Sequence, residues 1–415
     1  MSSAAFLTLG CKLNYAETST YRRGLVAAGW QVVDWRSKAD LYIINTCTVT
    51  ATSDSKSRNL VRKVGRVNPS ADILVTGCSA ALRPGDYSGM PGVRRVFGPG
   101  EKSRVVPFAI ALHGGAAPAA EQEGPVFGAF SSGERTRSFL KVQDGCDNFC
   151  KYCTVPYARG RSRSLSVQEC VGAAREIASL GMKEIVLTGV NTGDYGRGGP
   201  DGFMDLLRAL NAVEGIERYR ISSIEPNLLT EDTVAWIASG TKFLPHFHIP
   251  LQSGCDRILA AMGRRYDTAF FGGRLDMVRK YMEKPGGLKV FFGIDVMAGL
   301  PGETDADFAE SLEFIRRIRP AFIHAFPYSR RPGTPAASMK GQVDEEVKRE
   351  RVRALEELSA ELNADFTEAN RGLKAKVLWE ACHPDGTMSG YTENYIRAYA
   401  GSNPALVGEI TDYEI

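Results

Sequence analysis

The sequence has no apolar run approaching the roughly 20 residues needed to cross a bilayer. It also shows no signal peptide, because its first apolar stretch is short, follows no basic segment and leads into Lys12. Neither a membrane protein nor a secreted one is expected, and the nine cysteines are not expected to form disulfides. An excess of one charge sign is missing too. Lys and Arg number 51 against 48 Asp and Glu, a net charge of +3 over 415 residues, so there is no global nucleic-acid signature. Histidine is scarce, with five in all, and none lies in or near the densest cysteine cluster. The remaining composition, 43% hydrophobic and 24% charged, suits a cytoplasmic globular protein with two or three substantial cores.

That densest cluster follows Gly145. Cys146, Cys150 and Cys153 stand at the spacing Cys-x3-Cys-x2-Cys, with Tyr152 just before the last thiol. Three thiolates this close can hold three corners of a cubic iron–sulfur cluster and leave the fourth iron without a protein ligand. An open iron beside a strand end is a place where a cofactor can be bound and cleaved. Zinc and plain thiols are the alternatives, but a zinc ribbon normally supplies four ligands.

Three further cysteines each end an apolar, β-rich run: Cys11 after Ala4–Gly10, Cys47 after Leu41–Thr46 and Cys78 after Ile73–Gly77. Helical patterns at Asn14–Gly29 and Ser53–Val67 separate the runs. Strands alternating with helices imply a parallel sheet whose loops gather at one edge, so thiols distant in sequence can converge there. They are either small buried packing residues or a second three-thiolate cluster, and their repeated placement at strand ends points to the cluster. Cys170 falls on the apolar face of a helix opened by a Ser166/Glu169 capping box and reads as core. Cys255 and Cys382 have no partner at ligand spacing.

The fold class is α/β, in four stretches. Residues 1–97 form a parallel α/β domain, and residues 98–135, rich in Gly, Ala, Pro and Ser, read as a linker. Residues 136–369 alternate six strands (Phe139–Val142, Glu184–Thr188, Tyr219–Ser222, Phe247–Pro250, Val290–Ala298, Phe322–Phe326) with helices, which suits a partial (β/α)6 barrel. Residues 370–415 give three β-like runs, at Lys374–Glu380, Gly390–Tyr399 and Leu406–Thr411, and make a small barrel-like appendage. At barrel strand ends Gly189, Glu225, Gln252 and Asp295 are candidates for holding a cofactor. Thr304 reads as a helix N-cap.

Local charge says more than the total. Residues 1–97 carry 13 Lys/Arg against 6 Asp/Glu, an excess of +7. Arg58, Arg62 and Arg66 lie four apart on one helix face beside Lys56 and Lys63, a stripe that either meets phosphates or is simply solvated. The tail holds Trp379, Tyr391, Tyr395 and Tyr399, which can stack bases or pack a core. Its four Lys/Arg against six Asp/Glu argue against strong independent RNA binding.

Several stretches coincide with one family: Thr8–Asn14, Asn45–Thr50, Thr76–Cys78, the Cys146 loop, His248–Gly254, Asp295–Thr304, Phe326–Ser329 and Gly390–Tyr395. In order and along the whole length, the chain resembles the radical S-adenosylmethionine methylthiotransferases. Val155–Ser164, with Arg159, Arg161 and Arg163, resembles the branch acting on N6-threonylcarbamoyladenosine in tRNA, the MtaB type. The resemblance implies an N-terminal methylthiotransferase domain, a radical domain and a C-terminal TRAM domain. It also implies two [4Fe-4S] clusters, on Cys146/Cys150/Cys153 and on Cys11/Cys47/Cys78, with S-adenosylmethionine bound at the first.

The implied reaction cleaves S-adenosylmethionine to a 5′-deoxyadenosyl radical, which activates C2 of adenine at tRNA position 37. A methylthio group from the second cluster is then inserted. Implied partners are the tRNA anticodon loop and an electron donor such as flavodoxin or ferredoxin, with no membrane, and the chain acts as a monomer. Competing readings are methylthiolation of isopentenyladenosine or of a ribosomal-protein aspartate, and a non-catalytic iron–sulfur RNA-binding redox sensor. Cys255, where relatives usually carry Ser or another small polar residue, and the short acidic tail depart from the pattern.

Overall fold

The computed structural model describes residues 1–116 and 126–415. It opens with a parallel sheet in the order β2-β1-β3-β4-β5, comprising β1 (Ser3–Thr8), β2 (Gln31–Val32), β3 (Leu41–Thr46), β4 (Asp72–Gly77) and β5 (Val93–Val96). Central strand β3 is buried at every position, as a parallel strand covered on both faces should be. Helices α1 (Lys12–Ala27), α2 (Ala51–Val67), α3 (Cys78–Leu82), α4 (Gly85–Ser88) and α5 (Val105–Leu112) supply that cover. On one face α1 and α5 bury Tyr21, Leu25, Val105 and Ala109. On the other, α2, α3 and α4 bury Val61, Val64, Ala80 and Tyr87.

The stretch 98–135, expected to be a linker, is in part regular structure. It contains α5, and strand β6 (Ala129–Phe130) pairs antiparallel with β7 (Arg137–Lys141). Its portion 117–125 lies outside the described residues.

From β7 onward the chain builds a partial barrel. A short antiparallel clasp, β8 (Gln143–Asp144) with β9 (Arg163–Ser164), brackets the Cys146 loop and helix α6 (Val155–Arg159). Parallel strands β10 (Glu184–Thr188) and β11 (Arg218–Ile221) extend the β7 sheet, while β12 (His246–His248), β13 (Phe291–Ala298) and β14 (Phe322–Pro327) form a second. The bridges Tyr219↔Phe243 and Ser223↔His248 join the two sheets. Helices α7 (Val167–Ser179), α8 (Phe203–Asn211), α9 (Glu231–Ile237), α10 (Asp256–Ala261), α11 (Thr268–Met282), α12 (Asp305–Ile318) and α13 (Glu345–Glu368) complete the unit. Ser166/Glu169 cap α7 and Thr304/Asp307 cap α12, as expected. The barrel core runs from Leu140 and Ile185 through Phe247 and Phe292 to Ile315 and Leu358.

The tail is a four-stranded antiparallel sheet, ordered β17-β16-β15-β18. Its members are β15 (Lys374–Cys382), β16 (Thr387–Thr392), β17 (Arg397–Gly401) and β18 (Ile410–Glu414). The expected single run Gly390–Tyr399 is two strands, because the chain turns between them with Tyr395 in the left-handed region, φ 65°. The sheet docks on the barrel through two buried arginines. Arg218 donates to the carbonyls of Lys376 and Tyr391, and Arg220 to those of Thr392 and Glu393.

Candidate functional site

Cys11, Cys47 and Cys78 emerge side by side because β1, β3 and β4 are neighbours and all three end at one edge. Two glycines make the close approach possible. Gly10, at φ 104°, leaves room for Cys47, whose Sγ would lie 2.9 Å from an added Cβ. Gly77, at φ 98°, faces the Thr46 carbonyl, which would stand 2.3 Å from a Cβ. Burial, with the neighbouring Cys78 and Cys11, pushes the Cys47 thiol up to about 11. Cys78 is also raised by burial, against the pull of Arg159.

The second triad lies beyond the β8 clasp. The Cys146 N–H donates to the Gly160 carbonyl at 3.1 Å, the Asn148 N–H to Cys146 Sγ at 3.4 Å and the Cys153 N–H to the Cys150 carbonyl at 2.9 Å. Phe149, between them, takes a left-handed φ of 48° and stays exposed. Arg264 closes this loop from the barrel side. Its Nη1 lies 3.1 Å from Cys150 Sγ, and its Nη2 pairs with Glu225 at 2.5 Å. Burial, then the other thiols, pushes Cys146 up to about 11 and Cys153 up to about 12.

Burial and the neighbouring thiols disfavour ionisation of Cys47, Cys78, Cys146 and Cys153, so their thiolates need a cation beside them. A tetrahedral zinc with Zn–S bonds of about 2.3 Å would hold its sulfurs about 3.8 Å apart. Among the described residues, the sets with ligand atoms all within 4.8 Å of one another are His248/Asp295/His324 and Cys255/Asp307/Glu310. Neither triad is that tight.

A buried charge cluster joins the N-terminal triad to the barrel unit through Cys78. Arg159, at the end of α6, donates from Nε to Cys78 Sγ at 3.2 Å, from Nη1 to Asp144 at 2.9 Å and Glu17 at 3.3 Å, and from Nη2 to Asn14 at 2.5 Å. Lys102 reaches Glu17 at 2.6 Å, and Lys141 reaches both Glu17 and Asp144 at 2.8 Å. Burial alone would raise both carboxyls, but Lys102, Lys141 and Arg159 outweigh it and hold them below the usual carboxylate range. Lys102 is lowered, by burial first and by Arg159 next. Three buried cations, Lys102, Lys141 and Arg159, thus share two carboxylates, with Arg163 a further 3.7 Å from Asp144. A cavity of about 900 Å³ lies behind α1, lined by Tyr21, Lys102, Arg159 and Glu176. It touches none of the six cysteines, so its size does not mark the reactive centre.

The four candidate cofactor residues are spread over this arrangement. Glu225 stands on the Cys150 side, held by Arg264. Gly189 packs on the Gln143 side chain, whose Oε1 would be 2.8 Å from a Cβ there and accepts from the Val190 and Asn191 N–H groups. Gln252, at φ 72°, donates its N–H to the Asp295 carbonyl at 2.7 Å. The Asp295 carboxylate itself turns to His248, at 3.0 Å.

Of the basic helix, Arg58 pairs with Asp86 and Arg62 with Asn59, while Lys56, Lys63 and Arg66 are exposed. Arg161 pairs with Asp147 and Arg163 donates to the Arg159 carbonyl. Trp379 is core, Tyr391 and Tyr395 stack on each other, and Tyr399 is exposed. Cys170 is buried, as expected.

Sequence reasoning missed Arg264, Glu17, Lys102, Lys141 and Asp144; Lys141 and Asp144 stand three apart, but the other pairings join residues distant in sequence. It also missed Lys12. Burial lowers this lysine, as do Arg137 and Arg220, while Tyr395 and Asp295 pull the other way.

Residues 140–315 match the model of the Radical SAM superfamily, and residues 3–98 that of the Uncharacterized protein family UPF0004. The chain is 38% identical to a Threonylcarbamoyladenosine tRNA methylthiotransferase MtaB of Bacillus subtilis strain 168, covering 100% of this chain and 94% of that one. It is 31% identical to a tRNA-2-methylthio-N(6)-dimethylallyladenosine synthase of Carboxydothermus hydrogenoformans, over 99% and 95%. Among solved structures, the radical S-adenosylmethionine methyltransferase TsrM from Kitasatospora setae shares the fold, with a TM-score of 0.58 at 15% identity over 81% of this chain and 75% of that one.

Proposed function

The chain belongs to the radical S-adenosylmethionine methylthiotransferases, and from that membership we propose that it converts N6-threonylcarbamoyladenosine at tRNA position 37 to its 2-methylthio derivative. Membership brings with it a [4Fe-4S] cluster and S-adenosylmethionine. We assign the cluster to Cys146, Cys150 and Cys153, and a second one to Cys11, Cys47 and Cys78. Bound at the first triad, the cluster and S-adenosylmethionine supply a carbon radical able to take hydrogen from a C–H bond with no acidity.

The chain's own residues do the positioning. Gln143 fixes the loop entrance, its amide donating to the carbonyl of Gly145 at 2.8 Å and to Ser162 at 2.9 Å. Arg264 and Glu225 brace Cys150, and Arg159 neutralises Cys78. Glu225, Gln252, Asp295 and the Gly189 turn are the candidate contacts for S-adenosylmethionine. Anticodon-loop bases are partly unstacked already, so presenting one between the two triads costs little.

Three working units are proposed, at 1–97, 136–369 and 370–415, acting as a monomer in the cytoplasm with a flavodoxin- or ferredoxin-like electron donor. Among the described residues, no helix is long and apolar enough to cross a membrane.

The observation that supports this reading most is Arg159, six residues after Cys153, reaching Cys78 Sγ of the N-terminal triad at 3.2 Å. Nucleoside analysis of tRNA from cells with and without the gene tests it. The 2-methylthio-N6-threonylcarbamoyl nucleoside is expected only with the gene. Loss of the isopentenyl counterpart instead would move the chain to the other branch, and unchanged tRNA with altered ribosomal peptides would move it off RNA.

A further inference from the structure

Three neighbouring barrel strands place His248, Asp295 and His324 on one face. The opposite face, with Phe247, Phe292, Ile294 and Ile323, packs against the outer helices in the core, so the histidines and Asp295 point inward. His248 Nε2 lies 3.0 Å from Asp295 Oδ2, and the two imidazole rings are 5.1 Å apart. Along edge strand β14, Phe322 and Phe326 flank His324, with ring centroids 4.7 and 6.4 Å from it, and remain 37% and 41% exposed. Barrel interiors are ordinarily filled by layers of apolar side chains. A polar interior with accessible aromatic walls is a binding space.

Lys12 faces the same space from the other unit. It opens α1 directly after Cys11, and the charges acting on it are those of Tyr395, Arg137, Arg220 and Asp295, all of the barrel and its floor. Its own charge acts in turn on His324 and His246. Among the described residues its ammonium group has no hydrogen-bond or ion-pair partner. It is solvent-accessible yet surrounded by protein charges, which both hold if the solvent it meets is inside the barrel mouth. Arg137 and Arg220, below it, are already committed: Arg137 to Tyr395 and Glu380, Arg220 to Glu184 and two carbonyls. Lys12 is the cation left for an incoming anion.

We propose that Lys12, with His324 and the His248–Asp295 pair, is the specificity site that receives the carboxylate-bearing substituent on N6 of the target adenosine. This rests on the threonylcarbamoyladenosine reading and adds how that base is told from others. On adenine, C2, N1 and N6 lie along one edge. A residue next to Cys11, beside the place where sulfur reaches C2, is therefore within a lysine's length of a substituent on N6. The substituent offers a carboxylate for Lys12, and a hydroxyl and ureido N–H groups for Asp295 and the imidazoles. Phe322 and Phe326 offer flat apolar faces for the base. An isopentenyl chain would displace water from Lys12 and return no partner, which a site built for a polar group rejects.

The test uses the full chain with both clusters reconstituted. One substrate is tRNA carrying N6-threonylcarbamoyladenosine, and the other is the same tRNA with the threonyl carboxylate converted to a primary amide. The unaltered protein should prefer the acid by roughly 10- to 100-fold in kcat/KM, the range of a charge-assisted hydrogen bond. Lys12→Met should bring the acid down to the level of the amide, chiefly through KM, with iron and sulfide still about eight each per chain. Lys12→Arg should keep the preference, and His324→Gln should lose part of it. If Lys12→Met keeps the preference, or the unaltered protein accepts acid and amide equally, this inference falls alone. Zinc retained by the chain and lost in His324→Gln would make the cluster a metal site and overturn it too. If the unaltered protein acts only on isopentenyladenosine, the functional reading falls and takes the inference with it.

Discussion

Arg159 Nε stands 3.2 Å from Cys78 Sγ, so a guanidinium of the barrel unit completes the surroundings of a thiol of the N-terminal unit. The same side chain pairs with Asp144 and Glu17 and is itself buried. Arg159→Met should therefore weaken the cluster-free protein against urea by about 3–5 kcal/mol, the usual cost of stripping one partner from a buried ion pair. It should also shift the midpoint potential of the cluster proposed on Cys11, Cys47 and Cys78 to more negative values, because a nearby positive charge favours the reduced, more anionic state. Arg159→Lys keeps the charge but not the fork that reaches four partners, so it should fall between the two. An unchanged potential by redox titration with electron paramagnetic resonance would remove Arg159 from the cluster's surroundings.

The two triads should separate by mutation. Cys150→Ala is expected to abolish formation of 5′-deoxyadenosine from S-adenosylmethionine, with no product in tRNA. Cys47→Ala is expected to retain that cleavage while yielding no methylthiolated nucleoside. Chromatography of both products from one reaction reads the two outcomes together. Full methylthiolation by Cys47→Ala would reduce the N-terminal triad to packing.

The placement of the six cysteines was legible in the sequence because its signals are local: a Cys-x3-Cys-x2-Cys loop, and β-rich runs that stop at a thiol. The barrel strands were legible for the same reason, Glu184–Thr188 to the residue. What the sequence hides is assembled at long range. Arg264 meets Cys150 across 114 positions, and Lys141 meets Glu17 across 124, so neither pair leaves a spacing to read. Helix Val105–Leu112 was hidden by length and flanks, eight residues between glycine-rich ends. The turn inside Gly390–Tyr399 was hidden because Tyr395, a good strand former by composition, adopts the left-handed conformation there.

The C-terminal sheet should be part of the barrel's stability. Glu184 accepts from Arg218 at 2.5 Å and Arg220 at 2.8 Å, and both arginines spend their remaining donors on carbonyls of the tail. A chain ending at Arg371 would lose these charge-assisted hydrogen bonds and open the barrel face beneath the tail to water. Its thermal midpoint should drop by many degrees, or the chain should aggregate. Glu184→Gln in the full chain should destabilise it in the same direction. A truncated chain with the parent's midpoint by scanning calorimetry would show that the docking is dispensable.

Stability of the cluster-free protein should fall at both ends of the pH scale, for two different reasons. Glu17, Asp144 and Glu184 have folded pKa values held below the usual range by their cations. Their contribution is complete above the unfolded values of about 4 and disappears as pH drops through the folded ones, so the unfolded chain takes up protons and acid unfolds the protein. The thiols act oppositely. Cys47 and Cys146, pushed up to about 11, and Cys153, up to about 12, stay protonated in the fold while an unfolded thiol ionises near 8.5. Stability should thus decline as pH rises from about 8.5 toward these values. Cluster loading fixes the ligand sulfurs as thiolates and should shrink the alkaline decline to the part carried by Cys170 and Cys255, while leaving the acid one, since the carboxylates are not ligands. Thermal melts of loaded and cluster-free protein from pH 3 to 10 would read this directly, and an alkaline decline of equal size in both forms would show that the thiols are not what titrates.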